Sequence, residues 1–468
     1  MLNSKGDFID DRYIFRLLEE ARTAAPLEAR RIVEKAGRCE GLTPAETAVL
    51  LHAEDPEILR SIYQGASKIK ESIYGKRLVF FAPLYISDFC INNCVYCGYR
   101  RDNKFGRRRL TMEEIRGEVA VLEEMGHKRL ALECGEDPVN CPIDYVLDAI
   151  GTIYSVKEKN GSIRRINVNI AATTVGNYRR LKEAKIGTYI LFQETYHRPT
   201  YAGMHPFGPK SDYDWHISAF ERAMEAGIDD VGGGVLFGLY DYKYEVLALL
   251  LHALHLEDVC GVGPHTISVP RMRPAPGVNL KTFPHLVSDE SFKKIIAVLR
   301  LAVPYTGIIL STREGPDYRD ELVRVGVSQL SAGSCTGVGG YRQEKNGEGK
   351  GEEITQFNVE DHRSIDEVIT SICNSGYIPS FCTACYRSGR TGDRFMSLAK
   401  TGEIQNVCQP NAILTFKEFL LDYAAPETRQ VGEKTIARHL QLIASPAVRE
   451  KAEKVLERIE QGQRDFYF

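Results

Sequence analysis

The sequence predicts an α/β fold: a (βα)8 barrel of TIM type with helical regions at both ends. Three observations carry this prediction. Apolar residues recur with helical spacing before residue 77, give way to short β-branched runs alternating with amphipathic stretches from 78, and return to helical spacing towards the C-terminus. Eight short runs are separated by segments long enough for crossover helices, the pattern of parallel strands. The 468 residues leave room for further units beside a barrel of ~250. An open doubly wound sheet is the alternative assembly of the same elements.

Residues 1–77 form the expected N-terminal helical region. DDRYIFRLLEEAR, APLEARRIVEKA, TPAETAVLLHA and PEILRSIYQGASKIKESIYG carry the three- and four-residue apolar spacing. Thr43-Pro44 and Asp55-Pro56 set a capping residue before proline, the order of helix starts. The barrel is expected over 78–338, with strands at 78–85, 129–134, 165–172, 188–195, 230–238, 265–272, 306–312 and 327–333. Helices are expected at 111–126, 143–158, 174–184, 212–226, 242–257, 288–302 and 316–324. Gly126, Gly187, Gly227 and Gly307 stand at or near helix ends, where a left-handed cap is useful. Residues 339–381 read as a surface loop, rich in glycine and charge over 339–353, and a connecting helix. Residues 382–468 read as a C-terminal helical domain, with FKEFLLDYA and AVREKAEKVLERIEQG among its pieces.

Composition narrows the function classes. Hydrophobic residues at 43% and charged residues at 26% describe an ordinary globular chain. Sixty Lys and Arg against 63 Asp and Glu leave a net charge of −3, which excludes a strongly basic nucleic-acid binder and a disordered acidic chain. No run of 18 apolar residues is present, so no membrane span is expected. The stretch MLNSKGDFIDDRY has no apolar signal core, which points to the cytoplasm. In that reducing compartment tight groups of cysteine mean metal or redox chemistry rather than disulfides. Two groups stand out among the twelve cysteines.

The first lies in ISDFCINNCVYCGYR (86–100), where Cys90, Cys94 and Cys97 form C-x3-C-x2-C directly after the first strand. Thiolates are soft ligands and suit an iron–sulfur cluster or zinc. Zinc wants a fourth ligand, and no further Cys or His stands within ten residues. Three thiolates on a four-iron cluster leave one iron open to a small molecule, the mark of a catalytic centre. This motif, with Tyr96 before its last cysteine and a barrel around it, resembles the signature of the radical S-adenosylmethionine (SAM) superfamily. The resemblance implies that the open iron of a [4Fe-4S] cluster chelates SAM and that one electron cleaves it to methionine and a 5′-deoxyadenosyl radical. It also implies cofactor-binding positions beyond Tyr96. CGED (134–137) resembles the segment that receives the SAM amino group, at Gly135 and Glu136, with Cys134 standing where glycine is usual. Asn169 and Glu194, at the ends of the third and fourth strands, suit ribose hydroxyls or the methionyl moiety. Arg180, or else Arg198, would pair with the SAM carboxylate. Solvated polar groups on the barrel rim are the plainer account of each.

ILSTRE (309–314) ends the seventh strand. Ser311, Thr312 and Arg313 present two hydroxyls and a guanidinium, suited to an amino-acid carboxylate; a salt bridge from Arg313 to Glu314 is the plainer account. With FQETYHRPTY (192–201) and NIAATT (169–174), this segment resembles the tyrosine-cleaving branch of the superfamily. That implies L-tyrosine as substrate, with Ser311, Thr312 and Arg313 at the catalytic site. Its Cα–Cβ bond breaks to give a p-cresol-forming fragment and dehydroglycine.

The second group is Cys382, Cys385 and Cys408, spaced C-x2-C-x22-C. Zinc again lacks its fourth ligand, and a redox C-x2-C would not call for Cys408. A second three-cysteine cluster fits best. The spacing resembles the hydrogenase-maturase family within the tyrosine-cleaving branch. The resemblance implies an auxiliary [4Fe-4S] cluster carrying an extra iron, with free L-cysteine in the iron-binding unit. It further implies conversion of dehydroglycine to carbon monoxide and cyanide bound to iron, for the [FeFe]-hydrogenase active-site cluster. His265 opens the sixth strand, at the barrel face opposite the first group. The resemblance makes it a ligand of the extra iron; a core or capping histidine is the plainer account. GGGV (232–235) is expected to leave room for dehydroglycine to pass, with Gly233 the residue to test.

The expected enzyme is therefore a carbon–carbon lyase. A 2-iminoacetate synthase of thiamine biosynthesis with an unusual tail, and a non-catalytic iron–sulfur scaffold, are the competing readings. Expected partners are L-tyrosine, a ferredoxin or flavodoxin as low-potential electron donor, and other hydrogenase maturation proteins, with neither nucleic acid nor membrane. GRRR (106–109) reads as a solvated loop or as a docking patch.

Overall fold

The structure, a computed structural model, describes residues 8–347 and 355–468. Four helices come first: Asp11–Ala21, Pro26–Ala36, Pro44–His52 and Pro56–Tyr74. Thr43 and Asp55 cap the third and fourth, each accepting from backbone N–H groups of the first turn behind a proline.

Eight parallel strands then close into a barrel. They are β1 (Arg77–Ser87), β2 (Arg129–Cys134), β3 (Arg165–Asn169), β4 (Tyr189–Ile190), β5 (Val231–Gly234), β6 (Thr266–Ser268), β7 (Gly307–Leu310) and β8 (Gln329–Ser331). Each pairs with the next, and β1 pairs with both β2 and β8, which closes the ring and excludes the open sheet. Each lies in its expected position, but most end earlier than expected. The chain leaves the ladder at the rim: Glu194 adopts φ +67° and keeps only an isolated bridge to Val235. Gly126 and Gly227 take the left-handed conformation expected of helix caps. Gly187 and Gly307 do not; close packing explains them, since a Cβ would lie 2.4 Å from Arg165 Nε and 2.7 Å from Gln329 Nε2 respectively.

A ninth strand, β9 (Ile378–Ser380), lies within the segment expected to hold a loop and a helix. It runs parallel to the first half of β1, Arg77 opposite Ile378 and Val79 opposite Ser380, whereas β2 takes over from Ala82 onwards. It is thus wedged beneath β2 at the N-terminal face of the barrel. Its three residues and central Pro379 leave no strand pattern to read. Gly340–Lys345 is helical rather than loop, and 348–353 lie outside the described residues. Beyond β9 come helices Ala384–Arg387, Gly392–Lys400, Ile404–Asp422, Pro426–Gln441 and Pro446–Glu460. Ile404–Asp422 is buried along nearly its whole length, between β9 and the two helices that follow. Among the described residues no helix is long and apolar enough to cross a membrane.

Candidate active site and second metal centre

The C-terminal ends of the strands surround a cavity of about 200 Å³. Cys90, Cys94 and Cys97 line it from the loop after β1. That loop is clamped to the end of β2: Ile91 N–H donates to Glu136 O at 2.8 Å, and Gly135 N–H to Ser87 O at 3.0 Å. The approach is so close that a Cβ on Gly135 would sit 2.3 Å from Phe89 O and 3.0 Å from Cys90 Cβ. Asn92 Nδ2 donates to the Glu136 carboxylate at 2.6 Å. Across the cavity Asn169 donates to Glu133 at 2.7 Å, and the Tyr96 hydroxyl meets His205 Nε2 at 2.8 Å.

Burial sets the electrostatics of this end. It raises the thiols of Cys90 and Cys94 above their ordinary range and pushes Cys97 up to about 11. It raises Glu133 to about 8 and lowers Arg313 to about 10. Burial would also lower Lys210, but Glu194, 2.7 Å away, and Cys94 hold it above the usual lysine range. Arg313 lies 3.3 Å over the Phe357 ring. Its neighbour Glu314 turns away to Arg271, at 2.9 and 2.5 Å, and to Arg273, at 2.5 Å. The Arg313–Glu314 pairing is therefore not formed, and Arg313 faces the cavity with Ser311 and Thr312.

The opposite face holds a smaller cavity of about 60 Å³, lined by Cys382, Cys385, Cys408 and His265 together with Arg77, Arg129 and Arg165. Strand β9 delivers Cys382, whose carbonyl accepts from Arg129 Nη2 at 2.8 Å. The first turns of Ile404–Asp422 deliver Cys408. A hydrogen bond from Cys408, with the nearby Arg390 and Arg77 cations, lowers the Cys385 thiol below its ordinary range. His265 is partly buried, and its buried Nδ1 has no hydrogen-bond partner; it faces Asp230 Oδ1 at 3.7 Å. Asp230 in turn accepts from the Tyr386 hydroxyl and from Gly392 N–H at 3.0 Å. Among the described residues no three His, Cys, Asp or Glu side chains converge tightly enough to hold a single metal ion.

Comparison with known proteins follows this geometry. Residues 84–253 match the Radical SAM superfamily, and 268–378 match the Biotin and Thiamin Synthesis associated domain. A solved structure described as HydG, a maturase of the [FeFe]-hydrogenase, is 62% identical with a TM-score of 0.96, covering 99% of this chain and 100% of that one. The chain belongs to the HydG family of radical SAM maturases. HydG from Carboxydothermus hydrogenoformans is 40% identical with a TM-score of 0.84, covering 97% of this chain and 99% of that one. A 2-iminoacetate synthase of Escherichia coli (strain K12) is 31% identical over 366 residues, 78% of this chain and 92% of that protein.

HydG-family membership implies an iron–sulfur cluster and SAM, and the upper cavity fits both. It offers three thiols on one loop, a glycine at the contact that a Cβ would close, and space beside them. The lower donor set of three thiols and an imidazole, whose Nδ1 faces Asp230, fits iron as well.

Of the residues singled out from the sequence, Tyr96, Gly135, Glu136, Asn169, Glu194, Ser311, Thr312 and Arg313 all line the upper cavity. Arg180 does not. It projects from the outer face of helix Val175–Glu183, half exposed, and pairs with Asp144. Arg198 pairs with Asp214 at 2.8 Å and also lies outside the cavity lining. The cations of the cavity are instead Lys210, Arg273 and Arg313. Lys210 sits in PFGPKS, a stretch without periodicity or motif, so nothing in the sequence marked it. Glu133 and Asn92 were also missed, although each flanks a residue or motif singled out for the site. Gly233 needs correction too. Its absent Cβ points at Phe220 and Leu249 in the helical layer, while Gly232 and Gly234 face inward, as strand alternation requires.

Proposed function

We propose that this chain is a radical SAM carbon–carbon lyase. It splits L-tyrosine into a p-cresol-forming fragment and dehydroglycine, then converts the latter to carbon monoxide and cyanide on iron for the [FeFe]-hydrogenase cluster. The observation that carries the reading is the placement of two cysteine trios at opposite ends of one closed barrel, each beside its own cavity.

At the upper end Cys90, Cys94 and Cys97 would hold a [4Fe-4S] cluster, and SAM bound there supplies the 5′-deoxyadenosyl radical when an electron arrives. Glu136, Asn169 and Glu194 offer acceptors and a donor for the SAM amino group and ribose. The partly buried Lys210 supplies the positive charge against the thiolates. Ser311, Thr312 and Arg313 hold the tyrosine carboxylate, the guanidinium offering paired N–H donors. Burial keeps Glu133 protonated to about pH 8, so its hydroxyl is a hydrogen-bond donor inside the cavity at neutral pH.

At the lower end Cys382, Cys385 and Cys408 would hold the auxiliary [4Fe-4S] cluster. Asp230 beside Nδ1 leaves His265 Nε2 as the nitrogen for the extra iron, with free L-cysteine completing its ligands. Arg77 and Arg129 compensate the added negative charge. A cytoplasmic ferredoxin or flavodoxin as electron donor, and other hydrogenase maturation proteins as recipients, follow from this role.

The test separates the two ends. Replacing Cys90, Cys94 and Cys97 by alanine should abolish SAM cleavage and p-cresol. Replacing Cys382, Cys385 and Cys408 should leave both substantially intact and remove carbon monoxide and the iron–cyanide product. Full carbon monoxide yield from the second variant would refute the assignment. The Escherichia coli relative supports one alternative, 2-iminoacetate synthesis for thiamine. Iminoacetate or glyoxylate without carbon monoxide or cyanide would establish it. Reductive SAM cleavage by the reconstituted protein would exclude a pure scaffold.

A further inference from the structure

We propose that the loop 98–109, with Phe207 beside it, is the landing surface for a small acidic one-electron carrier protein that reduces the upper cluster. The inference rests on the reading of that cluster given above. From Gly98 to Arg109 the chain holds six Lys and Arg and a single acid, Asp102, in a protein whose net charge is −3. Two carboxylates offset part of this charge: Glu114 pairs with Arg108 at 2.8 Å, and Asp102 lies 3.9 Å from Arg100 and 4.0 Å from Arg101, which leaves six cations against two acids. The Arg107 guanidinium donates to the carbonyls of Asp88, Tyr99 and Arg100, and Arg109 to that of Asn140. Carbonyls fix a guanidinium in place without removing its charge. Arg101 and Lys104 are exposed. Phe207, 54% exposed, carries the Arg101 guanidinium 4.3 Å above its ring. An exposed aromatic within a basic surround offers a partner both an apolar anchor and a steering field.

The surface is also placed for electron delivery. Arg101 N–H donates to Asn92 O at 2.9 Å, and Asn92 Nδ2 lies 3.8 Å from Cys90 Sγ. Arg100 N–H donates to Cys97 O at 3.2 Å, and Phe207 O accepts from Asn93 N–H at 3.0 Å. One residue layer thus separates the patch from the cysteine sulfurs. A carrier seated there loses one electron and the cluster gains it; no bond or proton moves at the contact. Acidity is the property that this surface selects for.

The experiment uses the reconstituted holoenzyme and measures 5′-deoxyadenosine. Turnover is driven either by a reduced acidic two-cluster ferredoxin or by dithionite, a small inorganic reductant. In the double variant Arg101→Glu with Lys104→Glu, the ferredoxin concentration for half-maximal rate should rise about tenfold while the dithionite-driven rate stays unchanged. Equal ferredoxin dependence in variant and wild type overturns the proposal. A second measurement needs no variant: added salt should slow wild-type turnover with ferredoxin and leave turnover with dithionite untouched. Salt-independent ferredoxin turnover overturns it equally. If wild type fails to cleave SAM even with dithionite, the reading of the upper site fails instead, and the surface with it.

Discussion

Gly135 shows how narrow the tolerances are at single residues of the upper site. The end of β2 and the cysteine loop touch there, and no Cβ fits within 2.3 Å of Phe89 O. Gly135→Ala should displace the loop by a fraction of an ångström or more and cost roughly a hundredfold in SAM cleavage. Iron content and 5′-deoxyadenosine yield check this. At the lower site Asp230 touches no proposed ligand atom directly but faces the free nitrogen of His265. Asp230→Asn should weaken retention of the extra iron by about ten- to a hundredfold while p-cresol formation continues, read from iron titration and electron paramagnetic resonance. Glu245 supplies a pH test away from both sites. It accepts from the Thr195 hydroxyl and from Tyr196 N–H at 2.9 Å, and burial raises it to about 8. The folded chain therefore keeps a proton that the unfolded chain releases near the ordinary glutamate value of 4.5, so stability is lost as pH rises from there to about 8. Glu245→Gln has no such proton. Its urea midpoint should gain on wild type between about pH 5 and about pH 8, by a few kcal/mol in stability.

Two elements position the proposed metal ligands, and they differ in how visible they are. The cysteine loop after β1 announces itself by spacing alone, because three ligands on one short loop need no distant partner. Strand β9 does not. Ile378, Pro379 and Ser380 are too few to show alternation, and the strand exists only because β1 is longer than its neighbours and leaves a free edge below β2. Yet β9 carries Cys382 to the barrel, two residues beyond its end. Ile378 is fully buried in that joint. Ile378→Ala should destabilise the protein by about 2–5 kcal/mol. It should also render the lower cluster labile before the upper one, which differential iron loss during denaturant titration would reveal.

On the scale of the whole molecule the barrel is a partition. Its C-terminal rim makes one cavity and its N-terminal rim the other, and β5 contributes inward-facing Gly232 and Gly234 to the interior between them. If dehydroglycine travels through that interior, filling it should uncouple the two products. A Cβ on Gly234 would meet Phe192 at 2.7 Å and Ser268 O at 2.9 Å. Gly234→Ala should therefore lower the ratio of cyanide to p-cresol, the p-cresol that remains reporting an intact fold. An unchanged ratio would send the intermediate by another route.

The sequence by itself determined the barrel and the two groups of cysteines, because each is written in local spacing or in repeated periodicity, whereas His265 stood out only through the family resemblance. Which cations line the upper cavity was decided only by the tertiary structure. Arg180 and Lys210 are equally unremarkable as letters, yet helix geometry turns one outward to Asp144 while the short 3-10 turn Pro209–Ser211 folds the other in against Glu194. The same holds for Gly233 against its neighbours and for the ninth strand. Side-chain direction and edge pairing depend on what lies across space, and no short window of the chain contains that information.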